Sequence, residues 1–338
     1  MKLISSILKG LVIIVGALIL VYFLGPKVEP PSMDETLPEV TSDLIALERE
    51  INKKENSFSN IRPDNQARII WFDSIPKKTE YSIVYLHGWS ASQEEGDPIH
   101  LQTAKRYGCN LYLPRLAGHG LDEDEAMLGL TADQVIDSAK EAIAIGKKLG
   151  QKIILMATST GGTLALHLAG GDSDIAALLL YSPNVEIYDP NAKLLTKPWG
   201  LELAKMVKGG DYHEFDTDIA LKNQYWTTKY RLEALTHLQA MVDYTMTTET
   251  FKEVKQPVFL GYFYKNETVQ DNVVSVPAML QMFNELGTPT NKKRKVAFPN
   301  AGDHVMTSYV SSKDLESVQR ETNKFIESIL EIDQFSSK

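Results

Sequence analysis

Lys152 to Gly162 reads KIILMATSTGG: an apolar run, then Ala157-Thr158-Ser159-Thr160-Gly161, then a second glycine. The run has the character of a buried strand, and Thr160 to Leu168 directly after it has the character of a helix. A chain that passes from strand to helix in so few residues turns sharply and presents its apical side chain at the carboxyl edge of a sheet. Such a turn strains the central residue and requires small neighbours two positions to either side. Gly161 meets that requirement and Ala157 nearly meets it, so the pattern is A-x-S-x-G with Ser159 as candidate nucleophile. A Ser/Thr-rich helix cap is the plainer reading of the same residues.

Outward from this turn the chain alternates between strand and helix. Strands are expected at Ile69 to Phe72, Ser82 to Leu86, Asn110 to Leu113, Lys152 to Met156, Ala176 to Tyr181, Val258 to Tyr264 and Arg294 to Phe298. Several are continuous apolar runs, as in a parallel sheet covered on both faces. Ala132 to Lys148 carries Val135, Ala139, Ala142 and Ile143 on one helical face. The alternation predicts an α/β fold with a mostly parallel sheet and helices on both faces. Residues 67–183 and 256–338 form its core. The interval 184–255 is too long for a connecting loop and contains helix-like stretches at Leu201 to Val207 and Leu232 to Tyr244, which predicts an inserted helical lid.

Three further segments fall at strand ends. Ile83 to Leu86 runs into His87-Gly88-Trp89, where a backbone amide can help the amide after Ser159 hold an oxyanion. Trp89 N–H and Thr160 N–H are that candidate pair. The last strand is followed by Pro299-Asn300-Ala301-Gly302-Asp303-His304, which makes His304 the candidate general base. His100, His119, His167, His213 and His237 fit less well, lying in helical stretches, in a glycine loop or in the lid. Between Tyr264 and Val273 the loop offers Asp271 and Glu267 as the acid that orients the imidazole. Asp271 is preferred because its D-x-V-V-S setting leads into a helix near Pro277.

Taken together, His87-Gly88-Trp89, the stretch Leu113 to Gly120 (LPRLAGHG), the Ser159 turn and Gly302-Asp303-His304 resemble the α/β-hydrolase superfamily. The nearest likeness is its lid-bearing carboxylesterase and monoacylglycerol-lipase-like branch, over roughly residues 69–329. The resemblance implies a Ser159, Asp271, His304 triad, hydrolysis of a small-molecule or lipid ester through an acyl-enzyme, and neither a metal nor a cofactor. The sequence departs from the pattern in two places. Ala157 replaces the usual glycine, and the acid loop is longer than the common form.

The 338 residues carry a formal net charge of -9, with 43% hydrophobic and 23% charged residues. That acidity argues against nucleic acid as a partner. The single cysteine, Cys109, excludes an internal disulfide and is expected as a small buried hydrophobe. At the start of the chain, Lys2 and Lys9 precede an uncharged run from Gly10 to Gly25, which predicts an N-terminal transmembrane helix within residues 1–25. Bulky Tyr22, Phe23 and Leu24 disfavour the small-residue pattern of a cleaved signal peptide, the rival reading, which would give a secreted form. The two lysines place the catalytic part on the non-cytoplasmic side, and Lys27 opposes that assignment. Residues 26–66 read as a Pro-rich spacer lifting the domain off the bilayer, then a short helix capped by Thr41 or Ser42.

Within the lid, Trp199, Trp226, Tyr212, Tyr225, Tyr230, Leu194, Leu195 and Met206 are expected to line an acyl or aryl pocket or to form the lid's own core. Two other functions fit the same residues. A thioesterase or acyltransferase would use the same acyl-enzyme, and a membrane-anchored binding protein would carry the hydrolase fold with a silent site.

Overall fold

The computed structural model describes residues 2–335, with side chains from Ile4 onward. Met1, residues 336–338 and the Lys2 side chain used in the orientation argument lie outside the described residues. The apolar run forms helix α1 (Lys2–Phe23), in which Ile4–Phe23 is long and apolar enough to cross a membrane and none of those residues is buried in the protein.

The stretch after α1 corrects the expectation of a stand-off spacer. Residues 26–43 contain no helix or strand, yet they lie along the body of the protein. Pro31 is buried, Ser32 N–H donates to Asp133 Oδ1 at 2.6 Å, and Lys140 Nζ donates to the Asp34 carbonyl at 3.0 Å. Proline stiffness keeps the segment extended, and these bonds make it a strap. Helix α2 (Leu44–Glu55) follows, capped by Asp43 and not by Thr41 or Ser42. Asp43 immediately precedes the first turn, so its carboxylate reaches the Ile45 and Ala46 amides at 3.0 and 2.9 Å.

Next come β1 (Arg68–Ile70), β2 (Thr79–Leu86), α3 (Ile99–Tyr107), β3 (Asn110–Leu113), α4 (Ala132–Leu149), β4 (Gly150–Thr158), α5 (Thr160–Leu168) and β5 (Ile175–Tyr181). The long interval then contributes α6 (Gly200–Lys208), β6 (Tyr212–Glu214), α7 (Ala220–Tyr225), β7 (Lys229–Arg231), α8 (Leu232–Thr245) and α9 (Thr248–Glu253). Within it, β6 and β7 pair as an antiparallel ribbon. The chain closes with β8 (Val258–Tyr262), β9 (Tyr264–Asn266), β10 (Val269–Gln270), α10 (Val276–Glu285), β11 (Lys293–Ala297) and α11 (Leu315–Ile329).

One seven-stranded sheet runs β1-β3-β2-β4-β5-β8-β11, with β1 antiparallel to β3 and every other neighbour parallel. Its members are the seven strands expected from the sequence. Strand side chains alternate between two apolar cores. Val84, Leu86, Leu155 and Ala157 face the core built with α4, α5 and α8, whereas Ile83, Tyr85, Ile154 and Met156 face α3 and α11. The strand expected to reach Tyr264 leaves the sheet at Tyr262. From there the chain folds back as the β9–β10 hairpin, and Asp271 N–H returns to the Phe263 carbonyl at 3.0 Å.

A buried ion pair ties α2 to the loop after β3. Arg115 Nε and Nη2 donate to Glu55 Oε2 and Oε1 at 2.8 and 3.0 Å, and Glu55 also accepts the Ala67 amide at 2.8 Å. The two side chains are 4% and 6% exposed, so removing one leaves the other charge buried and unpaired. Glu55→Ala is therefore expected to lower unfolding stability by about 3 to 5 kcal/mol. Urea unfolding measures this, and Glu55→Ala combined with Arg115→Met should recover part of the loss.

Candidate active site

Strand β4 ends at Thr158 and α5 begins at Thr160, so Ser159 alone makes the turn, with φ 52° and ψ −119°. That backbone is strained for a residue with a side chain and persists only where its surroundings dictate it. Ser159 N–H donates to the Tyr181 carbonyl at 3.1 Å, and the Ser159 carbonyl accepts the Gly162 and Asn184 amides, both at 2.9 Å. Gly161 is packed so closely that a Cβ there would stand 1.9 Å from the Leu86 carbonyl oxygen. Gly88 borders the serine from the other side, where a Cβ would stand 3.0 Å from Ser159 Cβ. Ala157 pairs in register with Leu86 and points its methyl group into the apolar core, so this position does not need glycine.

His304 and Asp271 meet beside this turn. His304 Nδ1 lies 2.7 Å from Asp271 Oδ2, and Asp271 Oδ1 accepts the Val273 and Val274 amides at 2.9 and 3.0 Å. Burial opposes protonation of His304, but the charge and hydrogen bond of Asp271, helped by Glu95 and Asp303, raise its pKa above the ordinary histidine value. Burial likewise opposes ionisation of Asp271, yet His304 and the two amides hold its carboxyl below the usual range. Glu267, the other candidate, instead accepts the Tyr264 hydroxyl at 2.8 Å on an exposed hairpin.

The His304 loop is drawn to the serine turn through the neighbours of both residues. Thr158 Oγ1 and Thr307 Oγ1 lie 3.3 Å apart. His304 Nε2 is buried without a hydrogen-bond partner, and no hydrogen bond joins it to Ser159 Oγ in this structure. Such bonds are often long in unliganded sites and tighten with substrate.

Of the two candidate oxyanion donors, Thr160 N–H opens α5 and is one of the amides a helix leaves without an internal partner. Among the described residues, no backbone carbonyl engages Trp89 N–H. The turn carrying it is held by His87, whose Nε2 accepts the Leu116 amide at 3.1 Å while Nδ1 lies 3.0 Å from the Gly88 carbonyl. Burial pushes His87 down to about 3, and His119 and His100 to about 4, so these three imidazoles are neutral scaffolding.

Sequence reasoning missed Glu95. It is 2% exposed, its Oε2 accepts the Gly88 amide at 2.5 Å and the Tyr85 hydroxyl at 3.3 Å, and its Oε1 lies on the Ser159 side of Gly88. Burial raises its pKa to about 7, against the opposing pull of the Gly88 amide and of His304. Acidic residues in a loop normally read as solvated, and only the fold shows this one to be enclosed.

The interval between β5 and β8 covers part of this site. Tyr225 and Trp226 pack with Ala91 and Val305, Thr227 N–H donates to the Ser90 carbonyl at 2.7 Å, and Ser159 and His304 are only 7% and 9% exposed. Tyr230 is also buried, whereas Leu194, Trp199 and Met206 are exposed on the outside, so they line neither a pocket nor a core. A cavity of about 860 Å³ lies elsewhere, between the strap and α4, and includes none of Ser159, Asp271 or His304.

Solved structures share this architecture at low identity. A structure from work on the metagenome-derived lipolytic enzymes LipS and LipT is 17% identical, with TM-score 0.61 over 79% of this chain and 98% of that one. Est1E from Butyrivibrio proteoclasticus with bound ferulic acid gives 16%, 0.52, 81% and 100%, and an esterase from Pyrococcus furiosus 15%, 0.51, 90% and 98%. No curated protein matches the sequence. At these identities the likeness establishes the fold, and the sequence itself carries the family: with residues 83–310 matching its model, the chain belongs to the alpha/beta hydrolase family.

Proposed function

We propose that this chain is a serine-dependent ester hydrolase, with residues 184–255 as a lid over the site and α1 as a membrane anchor. Ser159 Oγ attacks the acyl carbon while His304 Nε2 takes its proton, and the oxyanion forms against the Trp89 and Thr160 amides. His304 then gives that proton to the departing alkoxide, leaving an acyl-enzyme. Water attacks in turn with His304 again as base, which releases the carboxylic acid and restores Ser159. Asp271 fixes the imidazole with Nδ1 protonated and stabilises its cationic form.

The observation that carries this reading is the Asp271–His304 pair at 2.7 Å beside a serine held at φ 52°. A silent binding protein would have no use for that strain. The enclosing Tyr225, Trp226 and Val305 favour an apolar acyl or aryl group. The esterase and lipolytic enzymes among the similar structures support an ester over other substrates. Thioesters and non-water acceptors remain chemically open to the same acyl-enzyme.

A fluorophosphonate probe is expected to label the wild-type chain and leave Ser159→Ala unlabelled; a folded wild type that resists the probe would favour the binding protein. On p-nitrophenyl esters of increasing chain length, Asp271→Asn should lose about 10³- to 10⁴-fold in kcat through the wrong imidazole tautomer. Glu267→Gln should stay near wild type, and the reverse result would transfer the orienting role to Glu267.

His304 must be neutral to accept a proton, so kcat/KM should be low in acid and rise through a pKa above the ordinary histidine value. Glu95→Gln keeps an acceptor for the Gly88 amide but removes a negative charge that favours the imidazolium. Its acid limb is therefore expected to move to lower pH, and an unmoved limb would show that Glu95 does not act on His304.

A further inference from the structure

Helix α6 is inside out. Trp199, Leu203, Met206 and Val207 recur at the spacing of a single helical face, and they are 40%, 38%, 73% and 75% exposed. The opposite face carries the charge: Lys205 pairs with Glu233 at 2.7 Å and with Asp211 at 2.9 Å. A helix on a water-facing surface has the reverse polarity.

The same helix begins where α1 ends. Trp199 N–H donates to the Pro26 carbonyl at 2.8 Å and its indole Nε1–H to the Val21 carbonyl at 3.2 Å. The indole lies so close over Gly25 that a Cβ there would stand 2.0 Å from Nε1. The outward stripe of α6 is thus continuous with the exposed apolar surface of α1. Lys197 and Lys208 flank it at either end, both exposed and neither in an ion pair among the described residues, and Glu202 is the only acidic residue in α6.

We propose that α6 lies in the interfacial layer of the leaflet from which α1 emerges, with Trp199, Leu203, Met206 and Val207 among the upper acyl chains and Lys197 and Lys208 at anionic headgroups. The inference rests on the reading of α1 as a membrane anchor. Where that helix leaves the hydrocarbon, Trp199 is at the depth tryptophan prefers. An apolar helical face flanked by lysines is the pattern of an interfacial helix.

The test uses the full chain reconstituted into phosphatidylcholine vesicles containing phosphatidylglycerol. Met206→Cys and Val207→Cys carry an environment-sensitive fluorophore, Lys77→Cys at an exposed position serves as control, and Cys109 is buried from the label. At 206 and 207 the emission should shift to the blue and be quenched by lipid-borne nitroxides, with neither effect at 77. Water-like emission at 206 and 207 in a chain that resists carbonate extraction would overturn the proposal and leave the anchor reading standing. Release of the chain by carbonate would remove both. A blue shift without lipid quenching that disappears on dilution would assign the stripe to a second copy of the chain instead.

Discussion

The crossing of α5 over the end of β2 is the constraint on which the site depends. A Cβ at Gly161 would stand 1.9 Å from the Leu86 carbonyl, so helix and strand touch backbone to backbone at that point. Leu86 and Ala157 are register partners, and β2 and β4 therefore end within one residue of each other. The residue after β4 must turn at once, which puts Ser159 into its strained conformation, and the residues after β2 must turn away beside it, which brings Gly88 and Trp89 next to the serine. Once two parallel neighbours end together and one is followed directly by a helix, the strain at Ser159 and the direction of the Thr160 amide follow.

Around one imidazole the fold sets two buried carboxyl groups in different states. Asp271 has the His304 ring and two backbone amides, and together they outweigh the cost of burying its charge. Glu95 has one amide and one tyrosine hydroxyl, which do not, so its pKa rises to about 7. Burial is common to both, and the number and kind of donors separates them. Groups whose pKa values are pushed apart in one site take different duties. Here the ionised Asp271 faces Nδ1 of His304, whereas Glu95 binds the turn that carries the Trp89 amide.

The sheet was legible because its strands are short apolar runs at regular intervals, and Ser159, His304 and Asp271 stand out as candidates because each lies beyond the end of such a run. Strand ends were less legible. Nothing in Val258 to Tyr264 marks the departure at Tyr262, which depends on a hairpin whose pairing is tertiary. Glu55 and Glu95 escaped notice because a carboxylate in sequence looks solvated until the chain encloses it, and each is enclosed by segments distant in sequence. Glu55 waits for Arg115, and Glu95 for the loop that carries Thr307, whose hydroxyl donates to the Glu95 carbonyl at 2.7 Å. The strap was misread for a related reason. Its prolines describe local stiffness, but its course is set by Asp133 and Lys140 on α4.

Those strap contacts bear on how the domain stands relative to α1. A free linker would let the body rotate, so that any face could meet a bilayer spanned by α1. Here the chain is held at Pro26 by Trp199, at Ser32 by Asp133 and at Asp34 by Lys140, within nine residues of one another. Three attachments over so short a length leave little rotational freedom, since each fixes the backbone that carries the next. The face beside the exit of α1 is then determined by the fold, and it is the face on which α6 turns its apolar side outward. Had the strap been mobile, an outward stripe on α6 would have been an unexplained liability to aggregation; tied to α1, it has a fixed neighbour.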